Sequence, residues 1–242
     1  MLCRSKERPH TMNDNSISEN IKRIRANITE AAVKSGCAPG DVTLVAASKM
    51  QPTEKIRQAI AAGVDAVGEN RVQEMTEKQA QGAYIGAPLH FIGHIQTNKI
   101  SRIVGTCDLI ESVSSTAVLD LIGKKAASLG ITQNILIEIN IGKEPQKSGF
   151  LPEQTEAVLD YVSQIKGLNL LGLMTIPPIY TNFDKNRNYF DIMSQLFVDI
   201  SKKKYDNVHM QFLSMGMSDS YIEAIIAGSN MVRIGTALFG SR

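Results

Sequence analysis

The sequence predicts an α/β fold of the (β/α)8 TIM-barrel kind, and three observations carry that prediction. Eight short apolar, strand-like runs alternate with helical patterns over nearly the whole chain. No Gly-rich G-x-G-x-x-G turn follows the first run, which argues against an open dinucleotide-binding sheet. At 242 residues, 43% hydrophobic and 21% charged, the chain suits one α/β domain with a substantial core.

In order, Ser16-Ile17-Ser18-Glu19 is a capping box that opens an amphipathic helix. Ile17, Ile21, Ile24, Ile28 and Ala31 form its buried stripe, and Gly36 closes it. A first strand over 42–48 is rich in β-branched and apolar residues and is stopped by Gln51-Pro52-Thr53. Further strands are expected over 66–68, 89–93, 109–113, 135–140, 168–174, 210–215 and 231–236, with helices over 53–62, 70–81, 98–104, 115–129, 152–166, 184–204 and 218–227. Gly63, Gly130, Gly167 and Gly228 stand just past four of these helices, where a left-handed cap belongs. Residues 1–15 are polar and patternless, a flexible N-terminal extension in which Met12 is an alternative start; residues 16–242 read as a single domain.

Composition narrows the function classes. A net charge of +2 with no dense basic patch argues against a nucleic-acid partner. Cys3, Cys37 and Cys107 are scattered and contain no CxxC, so neither a disulfide framework nor a zinc site is expected. His90 and His94 lack a third ligand, and no metal site is read from them. With no apolar run of membrane-spanning length and no signal-peptide core, the reading is a cytoplasmic protein without a membrane partner.

Chemistry concentrates at the strand ends, where barrels place their sites. Alternation puts Thr43, Val45, Ala47 and Lys49 on one face. Lys49 therefore sits at the carboxyl end of the first strand, with an apolar path behind it that would desolvate its amine for Schiff-base chemistry. Asn70 and His94 follow the second and third strands, and Glu138 and Asn140 share a face of the fifth. Ser214-Met215-Gly216-Met217-Ser218 is a strand–turn–helix junction, and Arg233-Ile234-Gly235-Thr236 carries an arginine into a glycine turn. The loops after strands seven and eight form the usual phosphate site of a barrel. A Schiff-base lysine, a strand arginine and a phosphate cradle together point to pyridoxal 5′-phosphate. An arginine facing its pyridine nitrogen keeps that nitrogen unprotonated and the ring a poor electron sink. Plain structural readings stand beside these: a snorkelling Lys49, Asn70 and Ser218 as helix caps, and Arg233 in a salt bridge.

Five segments resemble the pyridoxal-phosphate homeostasis family, single-domain relatives of the alanine racemase N-terminal barrel. They are Leu44-Val-Ala-Ala-Ser-Lys49, Gly68-Glu-Asn-Arg-Val-Gln-Glu74, His90-Phe-Ile-Gly-His94 with Gln96 and Asn98-Lys99, Leu213-Ser-Met-Gly-Met-Ser-Asp219, and the closing run from Met231 to Gly240. The resemblance implies pyridoxal phosphate held covalently on Lys49 as an internal aldimine, with Arg233 facing the ring nitrogen. It implies Ser214 and the Gly235 and Thr236 backbone on the phosphate, Met215 and Ser218 nearby, and Asn70 and His94 flanking the ring. It also implies a monomer that buffers the cofactor and delivers it to apo enzymes as transient clients, with no catalytic residues and no robust turnover. Racemisation needs a second base opposite Lys49, and alanine racemases take theirs from a further β-domain not expected here. The alternatives are a racemase-like enzyme dependent on the same cofactor and a Schiff-base aldolase acting on a sugar phosphate.

Overall fold

A computed structural model describes residues 16–178 and 183–240; the expected extension over 1–15, with Cys3 in it, lies outside the described residues. Eight parallel strands close a barrel in sequence order: β1 (Thr43–Ala47), β2 (Ala66–Glu69), β3 (Leu89–Phe91), β4 (Leu109–Val113), β5 (Gln133–Glu138), β6 (Leu168–Met174), β7 (Val208–Ser214) and β8 (Met231–Ile234). Around them run α1 (Ile17–Ser35), α2 (Thr53–Ala61), α3 (Val72–Ala80), α4 (Ile100–Ile103), α5 (Thr116–Ser128), α6 (Thr155–Ser163), α7 (Phe183–Ser201), α8 (Tyr221–Ile226) and α9 (Thr236–Phe239).

The order of elements is the one expected, and the differences are at their ends. The first strand stops at Ala47, so Lys49 lies in the turn beyond it. The eighth stops at Ile234, and Thr236 opens a four-residue helix instead of ending a strand. The helix expected over 98–104 shrinks to α4 behind a 3-10 turn, and the one expected from Ser218 begins only at Tyr221. Each shift falls where polar residues of a loop extend a helical or strand-like pattern without apolar partners to hold it.

Apolar side chains make three layers. Val45, Ala66, Leu109, Leu136, Met174 and Met231 fill the barrel interior. Their strand neighbours Val67, Phe91, Ile110, Ile135, Ile137 and Leu213 point outward beneath the helices, as alternation requires. The third layer belongs to α1. Its Ser16 cap is reciprocal, Glu19 N–H donating to Ser16 Oγ (3.3 Å) and Ser16 N–H to Glu19 Oε2 (3.1 Å). Ile21, Ile24 and Ile28 then pack on Leu44, Ala46, Val232 and Leu238. Because α9 is too short to cover β8 and β1, α1 takes that place in the outer ring. Truncating Ile24 to Ala there costs about 2–5 kcal/mol.

Candidate functional site

Polar residues of β3, β4, β7 and β8 form one hydrogen-bonded chain beneath the mouth. His90 Nδ1 is 2.7 Å from Glu111 Oε1, and Ser214 Oγ donates to Glu111 Oε2 at 2.6 Å. Arg233 Nη1 donates to that same Ser214 hydroxyl, and its Nη2 donates to the Thr175 carbonyl at 2.9 Å. Glu111 Oε2 lies 3.7 Å from Arg233 Nη1. Burial would raise the Glu111 carboxyl, but His90, Arg233 and Ser214 outweigh it and hold it below the usual carboxylate range. Burial lowers the Arg233 guanidinium, and Glu111 and Glu138 oppose that; a guanidinium stays charged in any case. The result is a rigid cation on the floor of the mouth.

Above it, Lys49, Arg233, Ser218, Gly235 and Thr236 line one cleft of about 180 Å³, with Ala47, Gln51, Met217, Asp219 and Gly240. Loops seven and eight are tied together there: Ala237 N–H, in the first turn of α9, donates to Ser218 Oγ at 3.1 Å. Ser218 thus caps α9 across the cleft and not α8. Gly216, at φ +96°, makes the sharp exit from β7; a Cβ on it would stand 2.7 Å from the Ala224 methyl.

Asn70 and His94 line a second cleft on the other side of the mouth, with Ile92, Ser112, Glu138 and Ile176. Gly93 lets the β3 exit pass directly over the Asn70 carbonyl, since a Cβ there would fall 2.0 Å from that oxygen. Asn70 does not cap α3, whose cap position is Arg71. Its Oδ1 is buried and has no partner among the described residues. His94 Nδ1 is 3.2 Å from Ser148 Oγ. Burial pushes the Glu138 carboxyl up to about 7, against the pull of Arg233. Asn140, expected beside Glu138, instead ties its own loop, donating to the Glu144 carbonyl at 2.9 Å and accepting from the Glu144 amide at 3.1 Å.

Three expectations are corrected by this geometry. Lys49 is exposed, so it is not buried against the apolar Val45 and Ala47 behind it as expected; the strand stops at Ala47 and leaves it in the turn beyond. Ser214 is fully buried between Glu111 and Arg233, and its hydroxyl is committed to them instead of to the cleft. Met215, one residue on, necessarily points to the other face and packs in the outer layer under the helices. The residues that sequence reasoning passed over are Glu111 and Thr175. A lone carboxylate between Leu109 and Val113 in an apolar strand was the available signal for Glu111, the same signal that singled out Glu138. Among the described residues, no group of three or more His, Cys, Asp or Glu could hold a metal, and no helix is long and apolar enough to cross a membrane.

Comparisons with known proteins agree with this architecture. The model of the alanine racemase N-terminal domain matches residues 15–242. A pyridoxal phosphate homeostasis protein of Aquifex aeolicus is 38% identical over 224 residues, covering 93% of this chain and 97% of that protein. PipY of Synechococcus elongatus, solved with PLP bound, superposes with a TM-score of 0.80 at 30% identity, covering 93% of this chain and all (100%) of that one. An alanine racemase of Clostridium difficile in complex with cycloserine shares the fold, at a TM-score of 0.76 and 16% identity, with 95% of this chain matching 60% of that one.

Proposed function

The chain belongs to the pyridoxal phosphate homeostasis protein family, built on the barrel of the alanine racemase N-terminal domain, and from that premise we propose that it binds pyridoxal 5′-phosphate at the barrel mouth and serves to hold and release that cofactor, without robust turnover of a substrate. The observation that supports this most is the cleft shared by Lys49, Arg233, Ser218, Gly235 and Thr236. The residues fit the group: an accessible amine, a buried cation and a short helix start bridged by Ser218 stand around one cavity, and the buried Asn70 Oδ1, without a partner among the described residues, stands across the mouth.

When bound, the cofactor supplies an aldehyde that takes up an amine with loss of water, a linkage that a second amine can exchange. In this reading Lys49 contributes the amine. Ser218 and the Gly235–Thr236 backbone at the start of α9 hold the phosphate. Arg233 meets the ring nitrogen with a charge that Glu111, Ser214 and Thr175 keep in place, and it disfavours protonation there. Asn70 and His94 flank the ring. The exposure of Lys49 leaves the linkage open to water and small amines, which suits exchange. Tyr84, Tyr161, Tyr205 and Tyr221, candidates for an opposing base, are bonded to Glu69, Asp120, Asp160 and Asn27. The reading extends to a cytoplasmic monomer that passes cofactor to apo enzymes as transient clients.

A racemase-like reading draws on Glu138, whose carboxyl at about 7 suits proton transfer at neutral pH. Absorbance of the purified protein, borohydride reduction and peptide mass mapping test the first reading: a phosphopyridoxyl adduct on Lys49 is expected, and no visible band after incubation with the cofactor overturns it. Amino-acid racemisation lost in both Lys49→Ala and Glu138→Gln would promote the second.

A further inference from the structure

Behind the Lys49 turn, on the outer face of the barrel wall, lies a charged cluster that the site itself does not use. Lys78 of α3 is 8% exposed, and its ammonium donates to three groups on different segments. These are the Ser48 carbonyl (2.9 Å), Glu69 Oε1 (2.7 Å) and Glu74 Oε2 (3.3 Å). Glu69 is fully buried; its Oε1 also accepts from Ser48 Oγ (2.6 Å) and the Tyr84 hydroxyl (3.2 Å). Its Oε2 has no partner among the described residues. Glu74 Oε2 accepts the Met50 N–H at 2.7 Å. The peptide groups before and after Lys49 are therefore both held by side chains of α3.

We propose that Lys78, together with Glu74, is a positioning residue for Lys49: the pair clamps the Ser48 carbonyl and the Met50 amide, and so fixes where the Lys49 amine leaves the barrel wall. The inference rests on Lys49 being the cofactor lysine. As a device for stability alone the cluster is poorly built, with two carboxylates on one ammonium and one carboxylate oxygen unsatisfied. Its donors are instead spent on the turn. Met50 stands at φ +60°, a left-handed conformation that a side chain with a Cβ disfavours and that persists only when neighbouring contacts impose it. The Glu74 bond to its amide is such a contact. Lys49 itself is exposed on a flexible four-carbon stem, so the backbone beneath it sets where a covalent linkage starts.

Lys78→Met, Lys78→Arg and Glu74→Ala test this against the wild-type chain with three readings. These are the cofactor Kd by absorbance titration, hydrogen exchange at the Met50 amide, and the labelling rate of Lys49 by an amine-reactive ester in cofactor-free protein, mapped by mass spectrometry against the exposed Lys202. Lys78→Met is expected to weaken cofactor binding at least tenfold, to speed Met50 exchange at least tenfold and to change the Lys49 labelling rate at least threefold. Lys78→Arg restores all three to within threefold. Because Lys78→Met strands Glu69 and can fail to fold, Glu74→Ala serves as the second variant. The Glu74 side chain is 21% exposed, so the protein tolerates its loss, and Met50 exchange rises tenfold with cofactor binding weakened at least threefold. Folded variants with wild-type exchange, labelling and Kd overturn the proposal, as does faster Met50 exchange with Lys49 labelling unchanged. If the wild-type chain takes up no pyridoxal phosphate, the site reading falls, and the exchange and labelling arms alone decide whether Lys78 positions Lys49.

Discussion

Inside the barrel the carboxylate of Glu111 and the guanidinium of Arg233 are joined through Ser214, which is bonded to both, with His90 and Thr175 closing the ends and Glu138 acting on Arg233 through charge alone. Outside it two carboxylates, Glu69 and Glu74, share the ammonium of Lys78, and one carboxylate oxygen has no donor among the described residues. The difference follows from what each network terminates in. A planar guanidinium held at two nitrogens fixes both the position and the plane of its charge, as a floor facing a flat ring requires. An ammonium is a point charge with three donors, suited to gathering a backbone turn from several directions. The inner network therefore ends in a fixed side chain, and the outer one in a held backbone with an exposed Lys49 upon it. A ligand held between them meets one fixed end and one end that can let go.

The sharpest way to break this comparison is to remove one carboxylate from each network in turn. Glu111→Ala leaves Arg233 buried with only Glu138 near it, and a loss of about 3–5 kcal/mol in urea unfolding is expected. Glu74→Ala is expected to cost far less, because water reaches its carboxylate. Equal losses would mean that Glu74 is as closed off from water as Glu111.

The next effect is read against pH. Burial raises the Glu138 carboxyl from 4.5 to about 7, so between those values the folded chain keeps a proton that the unfolded chain gives up. Stability from this group is complete below pH 4.5 and is lost as pH rises through about 7. The loss amounts to up to about 3 kcal/mol. Urea midpoints across that range should fall in the wild-type chain and stay flatter in Glu138→Gln; parallel curves would show that Arg233 neutralises Glu138 more completely than its burial suggests.

Ser214 and Ser218 separate the inner floor from the cleft above it. Ser214→Ala removes a donor to Glu111 and an acceptor for Arg233, at about 1–3 kcal/mol, and should leave competition by inorganic phosphate unchanged. Ser218→Ala should weaken that competition several-fold with a smaller loss of stability. The reverse pattern would return Ser214 to the phosphate.

The alternation of strands and helices was legible because it is written in local periodicity, in the Ser16–Glu19 box and in glycines past the helix ends: Gly63, Gly130, Gly167 and Gly228 all take positive φ. Lys49, Ser218, Arg233, Gly235 and Thr236 could be grouped from their places at strand ends. What could not be read was which way a polar residue faces once a strand has ended. Lys49 has interior parity yet lies two residues past Ala47, where pleating no longer governs it. Ser214 shows the opposite case: it was grouped with the phosphate loop, yet it is the last residue of β7, and its parity turns it into the barrel onto Glu111. The outer cluster left only an i, i+4 Glu74–Lys78 pair, which looks like any solvated helix face. Its burial comes from Ser48, Glu69 and Tyr84, and Ser48 and Lys78 are 30 residues apart in the chain.

The smallest expected effect isolates the turn from its clamp. Met50 is 59% exposed, so replacing its side chain disturbs little packing. Its φ of +60° costs roughly 1 kcal/mol for a residue with an ordinary Cβ, and asparagine tolerates that region better through local hydrogen bonding. Met50→Asn keeps the amide that donates to Glu74 and avoids the unfolded-state freedom that glycine would add. The variant should be about 0.5 kcal/mol more stable, with hydrogen exchange at residue 50 no faster than in the wild-type chain. If the strain were what holds Lys49 in place, relieving it would loosen the turn and exchange would quicken. If the Lys78–Glu74 clamp holds it, the turn keeps its form while the chain gains stability.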